Sequence, residues 1–340
     1  MSRIIDEDIL VIINDLKPIL VRLKNKRILI TGASGHLGNY FLKFFLISNQ
    51  LLSLRMSVTS TSQSDLDKSF DTHRDFFEHI RGDLTDPYFI DNFNQFDYVI
   101  HLAGYAQPTK FISNQSSTIY LNTFAVENLI DKLTNHGTFL FISSSEVYSL
   151  GDLINTDSRS NETINVEHPR ATYIFSKLLG EIICNNSEKN MKIARLSMTY
   201  GPGIKHDDTR AMSDFLRQAI TQGVIKLKDN GNAVREYLYV AEAVRALLRI
   251  LLEGKSKSYD IGAGLSGKTT IKEMAEIISE LLRTELIVPD SSVLFLSASQ
   301  SVSLDISKYE SEFEKISKLH VTDGLRRTID WAIEEKVFDS

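Results

Sequence analysis

Cysteine is nearly absent from this chain of 340 residues, in which Cys184 is the only one. A single thiol excludes an intrachain disulfide, a cysteine-based zinc site and a CxxC redox pair. This composition fits a reducing compartment. We predict no metal site, and we find neither an internal repeat nor a low-complexity segment.

A surplus of positive charge is also missing, because 38 Lys and Arg residues stand against 44 Asp and Glu residues, giving a formal net charge of −6. Nucleic acids and membrane surfaces both favour a basic face, so we expect neither partner. No apolar run approaches the ~18 residues that span a bilayer. The start, MSRIIDEDIL, carries acids where a secretory signal is apolar. The expected location is the cytoplasm.

Apolar residues make up 42% of the chain and charged residues 24%, the balance of a globular protein with a buried core. The length allows one large unit or two coupled domains. After Asn25, short apolar strands alternate with helical stretches, which predicts an α/β fold with a doubly wound parallel sheet. The predicted strands are 27–31, 54–59, 76–81, 98–102, 139–143, 193–197 and 259–261, and the predicted helices are 37–48, 122–133, 173–185, 212–222 and 240–253.

Three glycines follow the first predicted strand in the segment Gly32-Ala-Ser-Gly35-His-Leu-Gly38. Their spacing puts Gly32 in a tight turn, Gly35 where the backbone approaches a pyrophosphate, and Gly38 where the helix packs on the strand. The helix N-terminus then presents free N–H groups to the phosphates. We predict a Rossmann-type dinucleotide site here, which also involves Ser34, His36 and Leu37.

The acid that binds the adenosine ribose is expected about 20 residues beyond the last glycine. Thr59 and Ser60 occupy that place, and no Arg or Lys follows closely to bind a 2′-phosphate. NAD is therefore the favoured cofactor, with NADP not excluded. Asp83, after the third predicted strand, is either an adenine ligand or a solvated turn acid.

The chain divides into three predicted parts. Over residues 4–23 the apolar spacing fits an amphipathic helix that Pro18 bends or divides, and this extension either covers the domain behind it or contacts a partner. The parts are the N-terminal helical extension 1–25, the Rossmann-type domain 26–197 plus 234–262, and a smaller C-terminal α/β substrate lobe, 198–233 plus 263–340.

A second group of polar residues follows the strand predicted at 139–143. Tyr173 and Lys177 are four residues apart on a predicted helix and share a face. A lysine cation there would lower the tyrosine pKa, so that Tyr173 could act as a general base. The hydroxyl of Ser144 could hold the reacting oxygen. Taken alone, a YxxxK pattern is more often an ordinary solvated helix face.

The motifs TGxxGxxG, GDxxD, HLAG, SSSEVY and YxxxK occur in this order, and residues 26–340 resemble the extended short-chain dehydrogenase/reductase family. The resemblance implies a nucleotide-sugar substrate, a nicotinamide cofactor that removes a hydride at sugar carbon 4, and a homodimer built on the YxxxK helix. It implies that Tyr173 is the base, Lys177 its pKa tuner and ribose ligand, and Ser144 the oxygen partner. It assigns further cofactor contacts to Asp83, Leu84, Leu102, Ala103, Gly104 and Asn122.

The triplet Ser144-Ser145-Glu146 looks like that of UDP-glucuronate decarboxylases, as does the run Pro169-Arg-Ala-Thr-Tyr173. Ser145 stands where 4,6-dehydratases carry an aspartic acid, and Glu146 disfavours a simple 4-epimerase. The alternative for Glu146 is a charge paired across the pocket rim. An arginine fork suits a carboxylate or a phosphate. The predicted substrate contacts are Tyr105, Arg170, Met198 and Arg235.

Two departures leave the substrate open. Met198 replaces an asparagine that the family uses at the nucleotide end, and no arginine lies between Arg283 and Arg326, where a second phosphate ligand is expected. The nucleotide is then gripped differently or carries one phosphate, as a CMP-sugar does. A uronate decarboxylase is favoured. The alternatives are a 4-epimerase or 4,6-dehydratase on an atypical CMP- or GDP-linked sugar, and a non-catalytic dinucleotide-binding protein.

Residues 262–269 (GAGLSGKT) match GxxxxGK[ST], the phosphate loop of nucleoside triphosphatases. The strand predicted before this loop is short and polar, unlike the central strand that such a loop follows. We therefore predict that the loop does not bind ATP or GTP.

Overall fold

The structure, a computed structural model, describes residues 2–60, 75–155, 163–289 and 304–339. Its largest element is a seven-stranded sheet with the order β3–β2–β1–β4–β5–β8–β12. The strands of this sheet are β1 (Arg27–Thr31), β2 (Arg55–Ser60), β3 (Phe77–Arg81), β4 (Phe96–His101), β5 (Leu133–Ser144), β8 (Asn190–Leu196) and β12 (Ser258–Ile261). All neighbouring strands run parallel. The predicted fold class is confirmed.

The α-helices of the described ranges surround this sheet and build the smaller lobe. They are α1 (Arg3–Leu16), α2 (His36–Leu52), α3 (Pro108–Ser113), α4 (Gln115–Asn122), α5 (Phe124–Ile130), α6 (Ala171–Asn186), α7 (Ala211–Gln222), α8 (Val240–Glu253), α9 (Ile271–Leu282), α10 (Ser307–Glu312) and α11 (Val321–Glu334). None of these helices has the length and apolar character needed to cross a membrane.

Both faces of the large sheet are buried, as expected for parallel strands. Ile28 and Ile30 of β1 join one apolar cluster with α1, α2 and α8, while Leu29 joins another with α4 and α5. The strand order reverses between β1 and β4, so the chain leaves these two strands toward opposite faces. Ligands of such folds bind in the crevice outside this reversal.

The smaller lobe is built on short strands. Strands β9 (Met198–Tyr200), β11 (Val234–Tyr239) and β13 (Lys268–Thr270) form one sheet, and β10 (Val224–Lys226) pairs with β14 (Glu285–Ile287). A separate antiparallel pair, β6 (Ile154–Asn155) and β7 (Thr163–Ile164), precedes α6 in the chain. Of the return segment predicted at 234–262, α8 and β12 pack with the large sheet, whereas β11 lies in the three-stranded sheet.

The N-terminal helix α1 covers the Rossmann-type domain. Its apolar face packs on α2 and α8, and Pro18 separates it from a short 3-10 turn at Leu20–Leu23. Asp8 is buried on this face and accepts hydrogen bonds from the hydroxyls of Tyr40 (3.0 Å) and Tyr239 (2.7 Å) and from the Arg327 guanidinium (2.8 Å). The extension therefore covers the domain behind it, which is one of the two roles predicted for it.

The helix predicted at 122–133 differs in the structure. Helix α4 ends at Asn122, and Thr123 breaks the helical path with φ −128° and ψ −82° before α5 begins. Strand β5 starts at Leu133, six residues before the predicted strand. Both residues at the break are buried: the Asn122 amide nitrogen donates to Ser176 Oγ on α6, and the Thr123 hydroxyl donates to the Ile119 carbonyl oxygen of α4.

The glycine-rich segment 262–269 does not lead from its turn straight into a helix. Its 3-10 turn, Gly264–Gly267, runs into the short strand β13, and α9 begins only after that strand, at Ile271. The Glu236 carboxylate accepts from the Gly264 and Leu304 amides, each at 3.0 Å, and a Cβ atom at Gly262 would overlap this carboxylate. A loop amide that already has a carboxylate acceptor, in a turn that opens onto a strand, supports the prediction that this loop does not bind ATP or GTP.

Candidate active site

A cleft of about 1490 Å³ opens at the carboxyl ends of the sheet strands and extends to the smaller lobe. It brings together residues from distant parts of the sequence. The predicted site residues that line it are Gly32, Ser34, Gly35, His36, Leu37, Gly38, Thr59, Asp83, Leu84, Leu102, Ala103, Gly104, Tyr105, Ser144, Ser145, Glu146, Arg170, Tyr173, Lys177, Met198 and Arg235. Ser60 ends β2, and its side chain lies outside the described residues.

The first glycine loop has the geometry that its spacing predicts. Gly32 has φ +69°, and a Cβ atom there would lie 2.7 Å from the Ala103 amide nitrogen. A Cβ atom at Gly38 would lie 2.3 Å from the Gly32 carbonyl oxygen, so the helix packs directly on the turn. Gly35 is the N-cap of α2 and has no side-chain cap, which leaves the first N–H groups of the helix available.

Two polar residues beside this loop, one buried and one exposed, fit a dinucleotide. The Thr59 hydroxyl is buried in the cleft wall and has no hydrogen-bond partner among the described residues. A buried hydroxyl of this kind needs a partner, which a ribose hydroxyl would provide. Asp83 is exposed and accepts from the Thr85 amide at 2.9 Å, so one oxygen caps the turn while the residue also lines the cleft.

A buried histidine, which the sequence analysis did not single out, connects the loop to the centre of the site. The Ala103 amide donates to Thr31 Oγ1 (3.2 Å), Thr31 Oγ1 lies 2.8 Å from His101 Nδ1, and His101 Nε2 lies 2.8 Å from the Leu121 carbonyl oxygen. A carbonyl only accepts, so Nε2 carries the proton and Thr31 donates to Nδ1. Burial lowers the pKa of His101 to about 4, which keeps the ring neutral.

Asn122 lies behind Gly104. Its amide nitrogen donates to Ser176 Oγ at 2.9 Å, while its buried Oδ1 atom has no partner in the described ranges. A Cβ atom at Gly104 would lie 3.6 Å from that oxygen and 3.9 Å from Lys177 Nζ. Asn122 therefore lies behind the cleft wall, within van der Waals reach of a side chain at position 104.

Tyr173 and Lys177 share one face of α6, as their spacing predicts. The Lys177 ammonium lies 5.9 Å from the centre of the Tyr173 ring and donates to the Ile142 carbonyl oxygen at 2.8 Å. Burial lowers the pKa of Lys177 to about 7. The Phe111 ring stacks on Tyr173, with centroids 4.5 Å apart and an interplanar angle of 11°.

The pKa of Tyr173 differs from the prediction. Burial, with a further contribution from the negative charge of Glu146, raises it to about 12, while a hydrogen bond with Ser144 and the charge of Arg170 oppose the rise. Lys177 was expected to lower the pKa of Tyr173. It does not outweigh burial, because its ammonium is turned toward the Ile142 carbonyl oxygen. The sequence predicted that Tyr173 and Lys177 share a face of α6, but it did not predict that the Tyr173 phenol is buried.

Glu146 and Arg170 form a two-pronged ion pair at the cleft. Arg170 Nε donates to one carboxylate oxygen at 2.9 Å, and its Nη2 atom donates to the other. Both side chains are largely buried, with 21% and 14% exposed. The guanidinium also lies 5.7 Å from the centre of the Phe111 ring, so Arg170, Phe111 and Tyr173 form one stack.

A second ion-pair network supports the serine segment from behind. The Ser143 hydroxyl donates to the buried Glu181 carboxylate at 2.6 Å, and Arg195 donates to the same carboxylate at 2.7 to 3.1 Å. Arg195 also donates to the Tyr148 hydroxyl, which in turn contacts Asp260 at 2.8 Å. Strands β5, β8 and β12 and helix α6 are thereby held together beside Ser144.

Cations line the cleft on the side of the smaller lobe. Arg235 Nη1 donates to the Val234 carbonyl oxygen at 2.7 Å. The sequence analysis missed Arg210, Lys226 and Lys228, which also line the cleft. No motif marks these lysines, but the alternation of apolar and basic residues in the run Ile-Lys-Leu-Lys would have indicated a strand with one charged face.

Known proteins resemble this chain in sequence and fold. Residues 28–262 match the family described as "Epimerase: NAD dependent epimerase/dehydratase family". Over 269 residues the chain is 30% identical to UDP-glucuronic acid decarboxylase 6 of Arabidopsis thaliana, covering 77% of this chain and 76% of that protein.

Two solved structures have the same fold. An epimerase of Methanothermobacter thermautotrophicus has a TM-score of 0.74 at 19% identity, covering 96% of this chain and 98% of the other. The dTDP-glucose 4,6-dehydratase of Streptomyces venezuelae, with NAD bound, has a TM-score of 0.73 at 21% identity, covering 91% and 98%. With the sequence match over residues 28–262, the predicted resemblance is confirmed: the chain belongs to the NAD-dependent epimerase/dehydratase family of enzymes that act on nucleotide sugars.

Proposed function

We propose that the protein is an NAD-dependent decarboxylase of a nucleotide-linked uronate, with UDP-glucuronate as the leading substrate. The observation that carries this proposal is the Glu146–Arg170 pair, stacked through Phe111 on Tyr173. It places an arginine fork and a carboxylate beside the general base. A uronate substrate needs both the arginine and the carboxylate. Its own carboxylate binds a cation, and its decarboxylation requires a group that can donate or accept a proton.

The glycine loop, Thr59 and Asp83 would hold the cofactor, with the helix N-terminus of α2 directed to its phosphates. When bound, NAD supplies the hydride acceptor and, in its oxidised form, a positively charged ring. Thr59 offers a hydroxyl in place of the acid that marks many NAD sites, so NADP is the alternative cofactor.

Tyr173 would remove the proton of the substrate's 4-hydroxyl, with the Ser144 hydroxyl holding the same oxygen. The high pKa of Tyr173 means that a positive charge beside its ring, or loss of the charge of Glu146, favours the phenolate that this step needs. Lys177, whose ammonium lies 5.9 Å from the ring centre, would contribute to this field when protonated.

A ketone at carbon 4 makes the uronate a β-keto acid. The bond from carbon 5 to the carboxylate can then break, because the electron pair is delocalised into the ketone as an enolate, and carbon dioxide leaves. The enolate takes up a proton at carbon 5, and return of the hydride to carbon 4 and of a proton to its oxygen would then give the pentose. Arg170 presents the fork that would bind the substrate carboxylate, and its present partner Glu146 would then be released toward the reacting carbons.

The same pair favours one alternative. If Glu146 stays bound to Arg170 as a structural charge, neither group serves a carboxylate, and a neutral hexose is the better substrate. The enzyme is then a 4-epimerase or a 4,6-dehydratase.

The test is to incubate the purified protein and NAD with UDP-glucuronate and, separately, with UDP-glucose, and to identify products by NMR and mass spectrometry. We expect a pentose product from UDP-glucuronate. Tyr173→Phe should slow the reaction by about 10²- to 10⁴-fold, as loss of a general base does, while Tyr88→Phe, which alters an exposed tyrosine outside the cleft, should not. Conversion of UDP-glucose while UDP-glucuronate is left unchanged would contradict decarboxylation and favour the alternative.

A further inference from the structure

Two lysines line the lobe side of the cleft and belong to none of the ion pairs described above. Lys226 ends β10, and Lys228 follows two residues later. The strand path continues between them, since the Leu227 amide donates to the Ile287 carbonyl oxygen at 3.0 Å. Leu227 and Ile225 are buried, whereas both lysines are exposed. Side chains two residues apart on a strand lie on the same face. The two lysine side chains therefore leave the backbone about 6.6 Å apart.

Acidic side chains at this end of the cleft are already engaged. Asp208 holds Arg210 through contacts of 2.6 to 3.1 Å, and Asp214 holds Arg217 at 2.5 Å. Glu236 accepts from the Gly264 amide of the glycine-rich turn and from the Leu304 amide. Each of these carboxylates is bonded to a group other than the two lysines.

Asp229, the acid adjacent to Lys228 in sequence, accepts from the Gly231 amide at 2.8 Å. Within the part of the chain that the structure describes, no hydrogen bond or ion pair joins either lysine ammonium to another protein group. Two uncompensated positive charges in a concave surface attract an anion even when the whole protein is negative. We propose that Lys226 and Lys228 form an anion subsite for the phosphate groups of the nucleotide sugar.

Phosphate suits this pair better than a single carboxylate does. A lysine ammonium is a compact charge with three donors on a flexible stem, so two of them can adjust to the several oxygens of a diphosphate. The sequence has no arginine between Arg283 and Arg326, where a second phosphate ligand was expected, and the lysine pair supplies that charge from a different strand. This inference rests on the proposed nucleotide-sugar substrate class and adds the diphosphate to it.

The experiment compares wild type with K226Q/K228Q and with K17Q/K24Q by calorimetric titration. Lys17 and Lys24 are exposed in the N-terminal segment outside the cleft, so the control removes the same charge elsewhere. The probes are UDP, dTDP, CDP and GDP, each beside its nucleoside. We expect K226Q/K228Q to weaken binding of the preferred diphosphate about tenfold and to leave its nucleoside unchanged. Added salt should narrow the difference.

Several results would overturn the subsite: unchanged diphosphate affinity in K226Q/K228Q, an equal loss in K17Q/K24Q, an equal loss for the nucleoside, or a wild-type protein that binds none of the diphosphates. Failure of the proposed reaction is a separate outcome. If UDP-glucuronate binds through the lysines but keeps its carboxylate, decarboxylation is refuted and the subsite stands.

Discussion

At the scale of single residues, the charge balance around Tyr173 decides how the site works. Glu146 opposes the phenolate and Arg170 favours it, and these two residues hold each other. Any change in their pairing therefore changes the ionisation of Tyr173, the proposed general base. In the proposed reaction, this one ion pair would couple substrate recognition to the strength of the base.

We expect Glu146→Gln to lower the pKa of Tyr173 from about 12, because the substitution removes a negative charge and keeps Arg170 nearby. Carbon NMR of tyrosine labelled in the ring, followed over a pH titration, measures this directly. Tyr237, whose pKa burial also raises to about 12, is an internal reference and should not shift. Glu146→Asp keeps the charge and should retain the high value. An unchanged Tyr173 in Glu146→Gln would show that burial alone sets its pKa.

The neutral His101 predicts how stability depends on pH. Its folded pKa of about 4 lies below the ordinary value of 6.5, so the unfolded chain binds more protons between these values. The contribution of His101 to the free energy of unfolding is therefore fully present above pH 6.5. It is lost as the pH drops toward 4, and the loss is roughly 3 kcal/mol for this buried group. His101→Gln removes this contribution.

The measurement is the free energy of unfolding by denaturant at several pH values. His36, whose pKa burial also lowers to about 4, remains in the variant, so part of the pH dependence should persist. A variant whose pH dependence between 6.5 and 4 equals that of wild type would contradict the assignment to His101.

Sequence alone could identify the residues whose role depends on local spacing. Gly32 and Gly38 mark a turn, and Tyr173 and Lys177 share a helix face, because both patterns involve neighbours in the chain. The partners of Glu146 and the stack on Phe111 could not be found in this way. Arg170 precedes Tyr173 by only three residues, but Glu146 and Phe111 come from separate segments, and only the packed fold brings them to this helix.

At the scale of elements, the strands of the large sheet were predictable because a parallel sheet buries both faces of each strand. The strands at Arg27–Thr31 and Ser258–Ile261 lie within one residue of their predicted bounds. The break at Thr123 was not predictable, since the apolar spacing continues through it. The sequence analysis likewise assigned the segment of β11 to the Rossmann-type domain. Its pairing with β9 and β13 in the three-stranded sheet is known only from the structure.

Helix α1 provides a test at this scale. Asp8→Ala should reduce the free energy of unfolding by about 3 kcal/mol, because two buried hydroxyls and the Arg327 guanidinium lose a shared acceptor. Asn14→Ala, on the exposed side of the same helix, should change it by less than about 0.5 kcal/mol. Chemical denaturation gives both values. Equal changes in the free energy of unfolding for the two substitutions would show that the hydrogen bonds of Asp8 do not stabilise the packing of α1.

At the scale of the whole molecule, apolar side chains on the outside of α4, α5 and α6 suggest how copies associate. Ile119, Phe124, Leu179 and Ile182 are 42 to 55% exposed. Helices α4 and α6 pack side by side, so Ile119, Leu179 and Ile182 lie on adjoining elements. We propose that this surface forms a homodimer, in keeping with the prediction from the sequence.

Ile182→Glu should weaken such a dimer by at least about 2 kcal/mol, because each copy would bury a charge in an apolar contact. Sedimentation velocity over a range of concentrations measures the change. Val11→Glu, which introduces the same charge at an exposed position of α1, is the control and should leave assembly unchanged. A wild-type protein that stays monomeric at all concentrations would refute the dimer.

The docking of α1 has a consequence for the time course of synthesis. Its apolar face packs partly on α8, and Asp8 bonds to Tyr239 and Arg327, all of which leave the ribosome more than 200 residues after α1. At about 5 to 20 residues per second, roughly 10 to 60 s pass before these partners emerge. Of the two helices on which the apolar face of α1 packs, α2 is present during that interval and α8 is not. Helix α1 is therefore made early but is among the last elements to complete its contacts.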